Sequence, residues 1–121
     1  MKVNPKELKN AKEAYWDIPG GRIQRGASVK ATLLRELEEE TGISKVQKIT
    51  PFSMVLSNIR IPLDEDDVGL VLGTYICTVN DAKDIKISKE HTEYSWFAPK
   101  KAAELLQVKY PKEFVEKLRD L

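Results

Sequence analysis

The chain has one cysteine, Cys77, among its 121 residues. A lone thiol cannot close an internal disulfide, so a small cystine-stapled scaffold is excluded and stability must come from a core. Long apolar runs are also missing. The longest, around Val68 to Val79, is too short for the roughly 20 residues a membrane-spanning helix needs. The opening residues, Met1-Lys2-Val3-Asn4-Pro5-Lys6-Glu7, hold no apolar stretch of the signal-peptide kind, so a cytoplasmic protein with no membrane partner is expected. An excess of either charge is absent. Twenty basic residues face 19 acidic ones for a net charge of +1, which gives no support for a general binder of nucleic-acid polymers or membrane surfaces. Repeats and low-complexity tracts are lacking as well. The acidic run Asp64 to Asp67 is not an EF-hand loop, because Val68 and Tyr75 stand where oxygen ligands are required. It reads as a solvated hairpin connection.

What remains is an ordinary globular mixture, 41% hydrophobic and 32% charged, of a length that makes one domain over residues 1–121. Trp16 to Ile18 leads into Pro19-Gly20-Gly21, a strong chain break. The best helix covers 28–41, with Ser28 as N-cap, Gly42 as C-cap glycine, and Val29, Leu33 and Leu37 as an apolar stripe. Val46 to Ile61 reads as two strands or one bent strand broken near Pro51. Val68 to Val79 is the clearest strand, and Ile85 to Ile87 and Tyr94 to Phe97 are shorter ones. Helices follow over about Lys100 to Leu106 and Lys112 to Arg119, the latter introduced by Pro111. Strands with interspersed helices imply an α/β (α+β) class, a mixed sheet packed between helices. Cys77 falls in a strand and reads as a small core residue. Trp16, Phe52, Tyr75 and Trp96 could stack on a base, but core packing is their commoner fate.

The stretch richest in chemistry is Arg35-Glu36-Leu37-Glu38-Glu39-Glu40-Thr41-Gly42. At about 100° per residue, Glu36, Glu39 and Glu40 share one helix face, and Glu38 points elsewhere. Carboxylates at i, i+3 and i+4 repel one another, and the C-terminal half of a helix disfavours anions. A bound cation would offset that cost, and hard oxygen ligands suit Mg²⁺ or Mn²⁺. Taken alone, such a run is more often a solvated face.

Its surroundings decide the matter. Gly21, then Arg35-Glu36-Leu37-x-Glu39-Glu40-x-Gly42-Ile43, led in by Trp16-Asp17-Ile18-Pro19-Gly20-Gly21, resembles the box of the Nudix hydrolase family in register. The late segment Glu90-His91-Thr92-Glu93-Tyr94-Ser95-Trp96 is similar to another stretch common in that family. The resemblance covers about residues 15–106. It implies a Nudix-type α/β/α sandwich and hydrolysis of a nucleoside diphosphate linked to another group, X. By the same resemblance Glu36, Glu39 and Glu40 hold a divalent metal, Mg²⁺ or alternatively Mn²⁺, with the Gly20 carbonyl as a further ligand. Arg35 orients the glutamates. The three glutamates would titrate as a coupled set, so no single one is assigned as base. Gly21 lets the backbone approach the substrate, and Arg22 is a candidate phosphate contact. Arg25 is another, although surface solvation suits both arginines equally. Glu90 and Glu93 are candidates for an extra ligand or general base, whereas His91 suits a structural or solvent role.

Two departures from the family pattern stand out. Ala27 occupies the place of the box's first glutamate, a residue that helps brace the box, so weakened positioning of Arg35 and reduced activity are expected. Only 15 residues precede Trp16, and Pro5 with its charged neighbours makes them poor strand material. The usual N-terminal strand is therefore expected to be missing, leaving an edge that a second copy of the chain could cover. The alternative to a hydrolase is a catalytically impaired nucleotide- or partner-binding module. A plain α/β domain with an acidic helix is a weaker third reading.

Overall fold

The computed structural model describes residues 2–3, 15–80, 85–88 and 91–121. In chain order the elements are β1 (Lys2–Val3), α1 (Val29–Thr41), β2 (Val46–Leu56), β3 (Ile61–Pro62), β4 (Asp67–Val68), β5 (Val71–Val79), β6 (His91–Glu93), α2 (Pro99–Leu105) and α3 (Lys112–Arg119). Helices and strands are mixed as expected of the α/β class. The pairings are β1 with β6, β2 with β5 and β3 with β4, and the first and third are antiparallel. The single mixed sheet expected from the sequence is thus resolved into two-stranded ladders among the described residues.

Helix α1 lies where its caps put it. Ser28 is extended and its Oγ accepts the Ala31 N–H at 3.0 Å, satisfying one of the donors that a helix start leaves orphaned. At the other end Gly42 takes a left-handed φ of 79°, which costs a side-chain-bearing residue about 1 kcal/mol or more, and its N–H closes on the Glu38 carbonyl. The buried face is not the expected apolar stripe. Val29 is exposed and Leu33 and Leu37 are only half-buried; the buried residues are Thr32, Glu40 and Thr41.

The strands differ from expectation in four places. β2 runs unbroken through Pro51, an exposed position. The clearest strand begins at Val71 rather than Val68, because Val68 belongs to the β3–β4 hairpin, and Gly69 and Leu70 separate the two. That hairpin turns over Leu63 to Asp66, where the acidic connection was expected, with the Leu63 N–H on the Asp66 carbonyl at 2.6 Å. Residues 85–88 form no strand; there the Lys86 N–H donates to the Thr41 carbonyl at 2.9 Å. The late strand is His91–Glu93 instead of Tyr94 to Phe97, and Trp96 is 65% exposed rather than packed in a core. The missing N-terminal strand also needs correction, since Lys2–Val3 pairs with β6, placing Lys2 opposite Glu93 and Val3 opposite His91. Residues 4–14, where a helical turn or polar loop was in question, lie outside the described residues, as does Glu90.

The chain divides into two compact units, Met1–Ile49 with Cys77–Ser95, and Thr50–Ile76 with Trp96–Leu121. The second has an apolar core built on α2 and α3. Ala103, Leu106, Tyr110, Phe114 and Val115 are buried there, as is Val55 of β2. Tyr110 stacks on Phe114 at 4.5 Å, and Phe52 meets Phe114 edge-on at 5.8 Å, both favoured aromatic geometries. The turn between the helices is tied to the end of β2. Asn58 Nδ2 donates to the carbonyls of Gln107 and Tyr110 at 3.0 and 2.9 Å, and Ser57 Oγ donates to that of Lys109 at 2.9 Å. These bonds satisfy carbonyls of the turn that follows α2. The first unit is organised around α1 and the loop before it.

Candidate functional site

In the first unit the Pro19-Gly20-Gly21-Arg22 loop is laid against the polar face of α1. The Gly20 N–H donates to Glu40 Oε2 at 2.7 Å, a short, charge-assisted bond. Glu40 is only 5% exposed, so this bond satisfies a carboxylate whose burial is otherwise costly. One turn earlier on α1, Glu36 lies against Gly21. A Cβ at residue 21 would sit 2.3 Å from the Glu36 Cδ and Oε1, closer than any side chain tolerates. A side chain at residue 21 would therefore have to push the Glu36 carboxylate aside.

Arg35 completes this arrangement. Its Nη2 donates to Glu36 Oε1 at 2.8 Å and to the Arg22 carbonyl at 3.3 Å. The Arg22 backbone thus takes part while its side chain is on the exposed surface. Glu39 is exposed on the same side of the helix, in keeping with its angular position between Arg35 and Glu36. Ala27 closes a turn, its N–H on the Gln24 carbonyl at 3.0 Å, and offers Arg35 no acceptor in its side chain. Glu93 is exposed on β6.

Glu36 and Glu40 are therefore brought together with Gly20, Gly21 and Arg35. Among the described residues, however, no three His, Cys, Asp or Glu side chains converge in a ready-made metal cluster. The reason is visible in the partners: Glu40 faces the Gly20 N–H, Glu36 faces Arg35, and Glu39 faces outward. The candidate donors, the Glu36, Glu39 and Glu40 carboxylates with the Gly20 carbonyl, are all oxygens, which fits a hard divalent cation. The place of the absent Gly21 Cβ is taken up by one of those carboxylates, that of Glu36.

Asp17, within the lead-in to the box, has no role that the motif reveals. It is 8% exposed, and its Oδ1 accepts the Ile18 N–H at 2.8 Å, two residues before Pro19 turns the chain. Burial pushes the neighbouring Tyr15 phenol above its ordinary pKa, and the Asp17 charge adds to the rise. The available signal was an acidic residue between two apolar ones, Trp16 and Ile18, where the rest of the segment is uncharged.

A family model described as NUDIX domain matches residues 5–118. Together with the box register on α1, this places the chain in the Nudix hydrolase family, to which it belongs. It is similar to the nucleoside triphosphatase NudI of Escherichia coli, 28% identical over 89 residues that make up 69% of this chain and 62% of that protein. The NudI of Salmonella typhimurium is 29% identical over 93 residues, 73% of this chain and 64% of that one. The chain therefore spans less than two thirds of the length of these relatives. Among solved structures it resembles a MutT protein from Methanosarcina mazei Go1, with a TM-score of 0.61 and 27% identity over 98% of this chain and 80% of that one.

Proposed function

We propose that this chain is a single-domain, metal-dependent pyrophosphohydrolase that cleaves the diphosphate linkage of a nucleoside triphosphate or of another nucleoside diphosphate linked to X. The observation that carries this reading is the Gly20-Gly21 loop seated on Glu36 and Glu40 of α1, in the register of the family's box. Relatives described as nucleoside triphosphatases support the substrate class. Among the described residues no helix is long and apolar enough to cross a membrane, and a small soluble nucleotide is the partner the site suits.

Glu36, Glu39 and Glu40, with the Gly20 carbonyl, are the residues that would hold Mg²⁺ or Mn²⁺. When bound, such an ion neutralises charge on the bridging phosphates and lowers the pKa of water. The chain's own groups do the rest. The general base would be drawn from Glu36, Glu39 and Glu40, with Glu93 or Glu90 as a further candidate. Gly21 lets the Glu36 carboxylate lie against the loop that would approach the substrate. Arg22, exposed at the loop, offers them a cation.

A second reading, a Nudix-fold binding module with impaired catalysis, is favoured by Ala27 and by the lack of three converging carboxylates among the described residues. One experiment separates the two. Purified protein is offered nucleoside and deoxynucleoside triphosphates, nucleotide sugars and ADP-ribose with Mg²⁺ or Mn²⁺, and products are read by chromatography beside a Glu39→Gln, Glu40→Gln double variant. Metal-dependent turnover that disappears in the double variant is the expected result. Binding without turnover across the panel would establish the module instead.

A further inference from the structure

We infer that the cleft between α1 and the start of β2 is a second small-molecule site, which takes an aliphatic anion, a hydrocarbon chain ending in a carboxylate or phosphate. None of its lining residues belongs to the glutamate cluster, so it stands apart from the function proposed above.

The cleft is made by the reversal at the end of α1. Gly42, at φ 79°, turns the chain back, and Ile43 is buried just beyond it with its N–H on Thr41 Oγ1 at 3.2 Å. From Ser44 the chain then runs into β2 beside the helix. Together with Lys30 and Leu34 of α1 it bounds a cavity of ≈ 360 Å³, within the range of small-ligand sites. At about 100° per residue, Leu34 projects roughly 160° and Lys30 roughly 120° round the helix from Glu36, so a ligand here leaves the glutamate face open.

The lining selects the ligand. Leu34, Val46 and Ile49 are half-buried and give an aliphatic floor. Among the described residues no aromatic ring lines the cleft, so a nucleobase finds no face to stack on. Lys30 and Lys48, far apart in sequence, stand exposed at the rim. Among the described residues neither is ion-paired, and no carboxylate lines the cleft. The rim therefore attracts anions, while the lysine stems extend the apolar floor. Ser44 and Gln47 add hydrogen-bond donors for the oxygens of a head group. A lysine on an open surface is satisfied by water alone. Here two ammonium groups flank apolar surface that water does not satisfy, and a chain with an anionic end answers both.

The test is amide chemical-shift mapping by NMR on the full chain, titrated with octanoate, octyl phosphate, butyrate, octanol and AMP, beside a Lys30→Gln, Lys48→Gln double variant. Octanoate and octyl phosphate should bind saturably and move the amides of Lys30, Leu34 and Ser44 to Ile49. Butyrate should bind at least about tenfold more weakly, because it lacks most of the chain that the floor would cover. Octanol should also bind about tenfold more weakly, and the double variant should weaken octanoate by the same factor, the scale of two exposed ion pairs. Octanol binding should change by about twofold at most in the double variant, because it has no charge for the lysines to meet. Absence of saturable shifts at these amides with either anion overturns the inference. So does octanoate binding that ignores the lysine changes, or AMP, butyrate or octanol binding as tightly as octanoate. Shifts of the same amides on raising the protein concentration without ligand would show a second copy of the chain filling the cleft, and overturn it too. Each of these results leaves the proposed hydrolase standing, since nucleotide turnover is read separately.

Discussion

Helices α1 and α3 bury different kinds of side chain. α3 has eight residues, no side-chain N-cap, and buries Val115 and also Phe114, which meets Tyr110 and Phe52. α1 has thirteen residues, is capped at both ends, and buries Thr32, Glu40 and Thr41. A short uncapped helix survives because apolar burial supplies its stability, as is usual in proteins. A helix that spends its buried face on a carboxylate and two hydroxyls has to be held by its caps and by hydrogen bonds to the preceding loop. The fully buried side chains of α1 are polar while its leucines are only half-buried, in keeping with the site proposed on this helix.

If that contrast is right, the largest effect on stability comes from α3. Phe114→Ala should cost about 3–5 kcal/mol in urea unfolding, since it removes a buried ring with two aromatic partners. A loss under 1 kcal/mol would mean the core lies elsewhere. The largest effect on activity comes from α1. Glu36→Gln should lower metal-dependent turnover on the order of 100-fold, with little change in the denaturation midpoint. A variant that unfolds in step with its loss of activity would erase the distinction between the helices.

Gly21→Ala sharpens the comparison further. The added Cβ must drive the Glu36 carboxylate away, so turnover should fall about tenfold while the melting temperature shifts by only a few degrees. Unchanged kinetics would show that Glu36 does not need its place against the loop. Ser28→Ala removes the N-cap acceptor and should cost about 1 kcal/mol, read by thermal unfolding. An equivalent change at Pro111, which caps α3 with no side-chain bond, should cost less. The smallest effect concerns Cys77 in β5. Burial pushes its thiol above the usual pKa, so less thiolate is present at any given pH. Alkylation by iodoacetamide near pH 8 should lag behind a free thiol and accelerate as pH rises. A rate matching free cysteine would show the site to be open.

The parts of the fold that were legible are those set by local chemistry. The caps Ser28 and Gly42 fixed α1 to within a residue, and Pro111 marked α3. Strand limits were less legible. Pro51 reads as a break, yet β2 passes through it, because an exposed edge position tolerates a missing N–H. Tyr94 to Phe97 has strand composition, but the ladder with β1 is formed at His91–Glu93. Pairing depends on which backbone lies alongside, and no residue carries that information by itself.

The same division runs through the site. Sequence alone determined that Glu36, Glu39 and Glu40 share a helix face, because helical periodicity is a property of the local backbone. It also determined the family, because a spaced motif is carried by residue identities. Only the tertiary structure decided that Gly20 grips Glu40, that Glu36 fills the space Gly21 leaves, and that Arg35 pairs with its own neighbour. Those contacts join residues up to 20 positions apart, and their geometry follows from how the loop is laid on the helix.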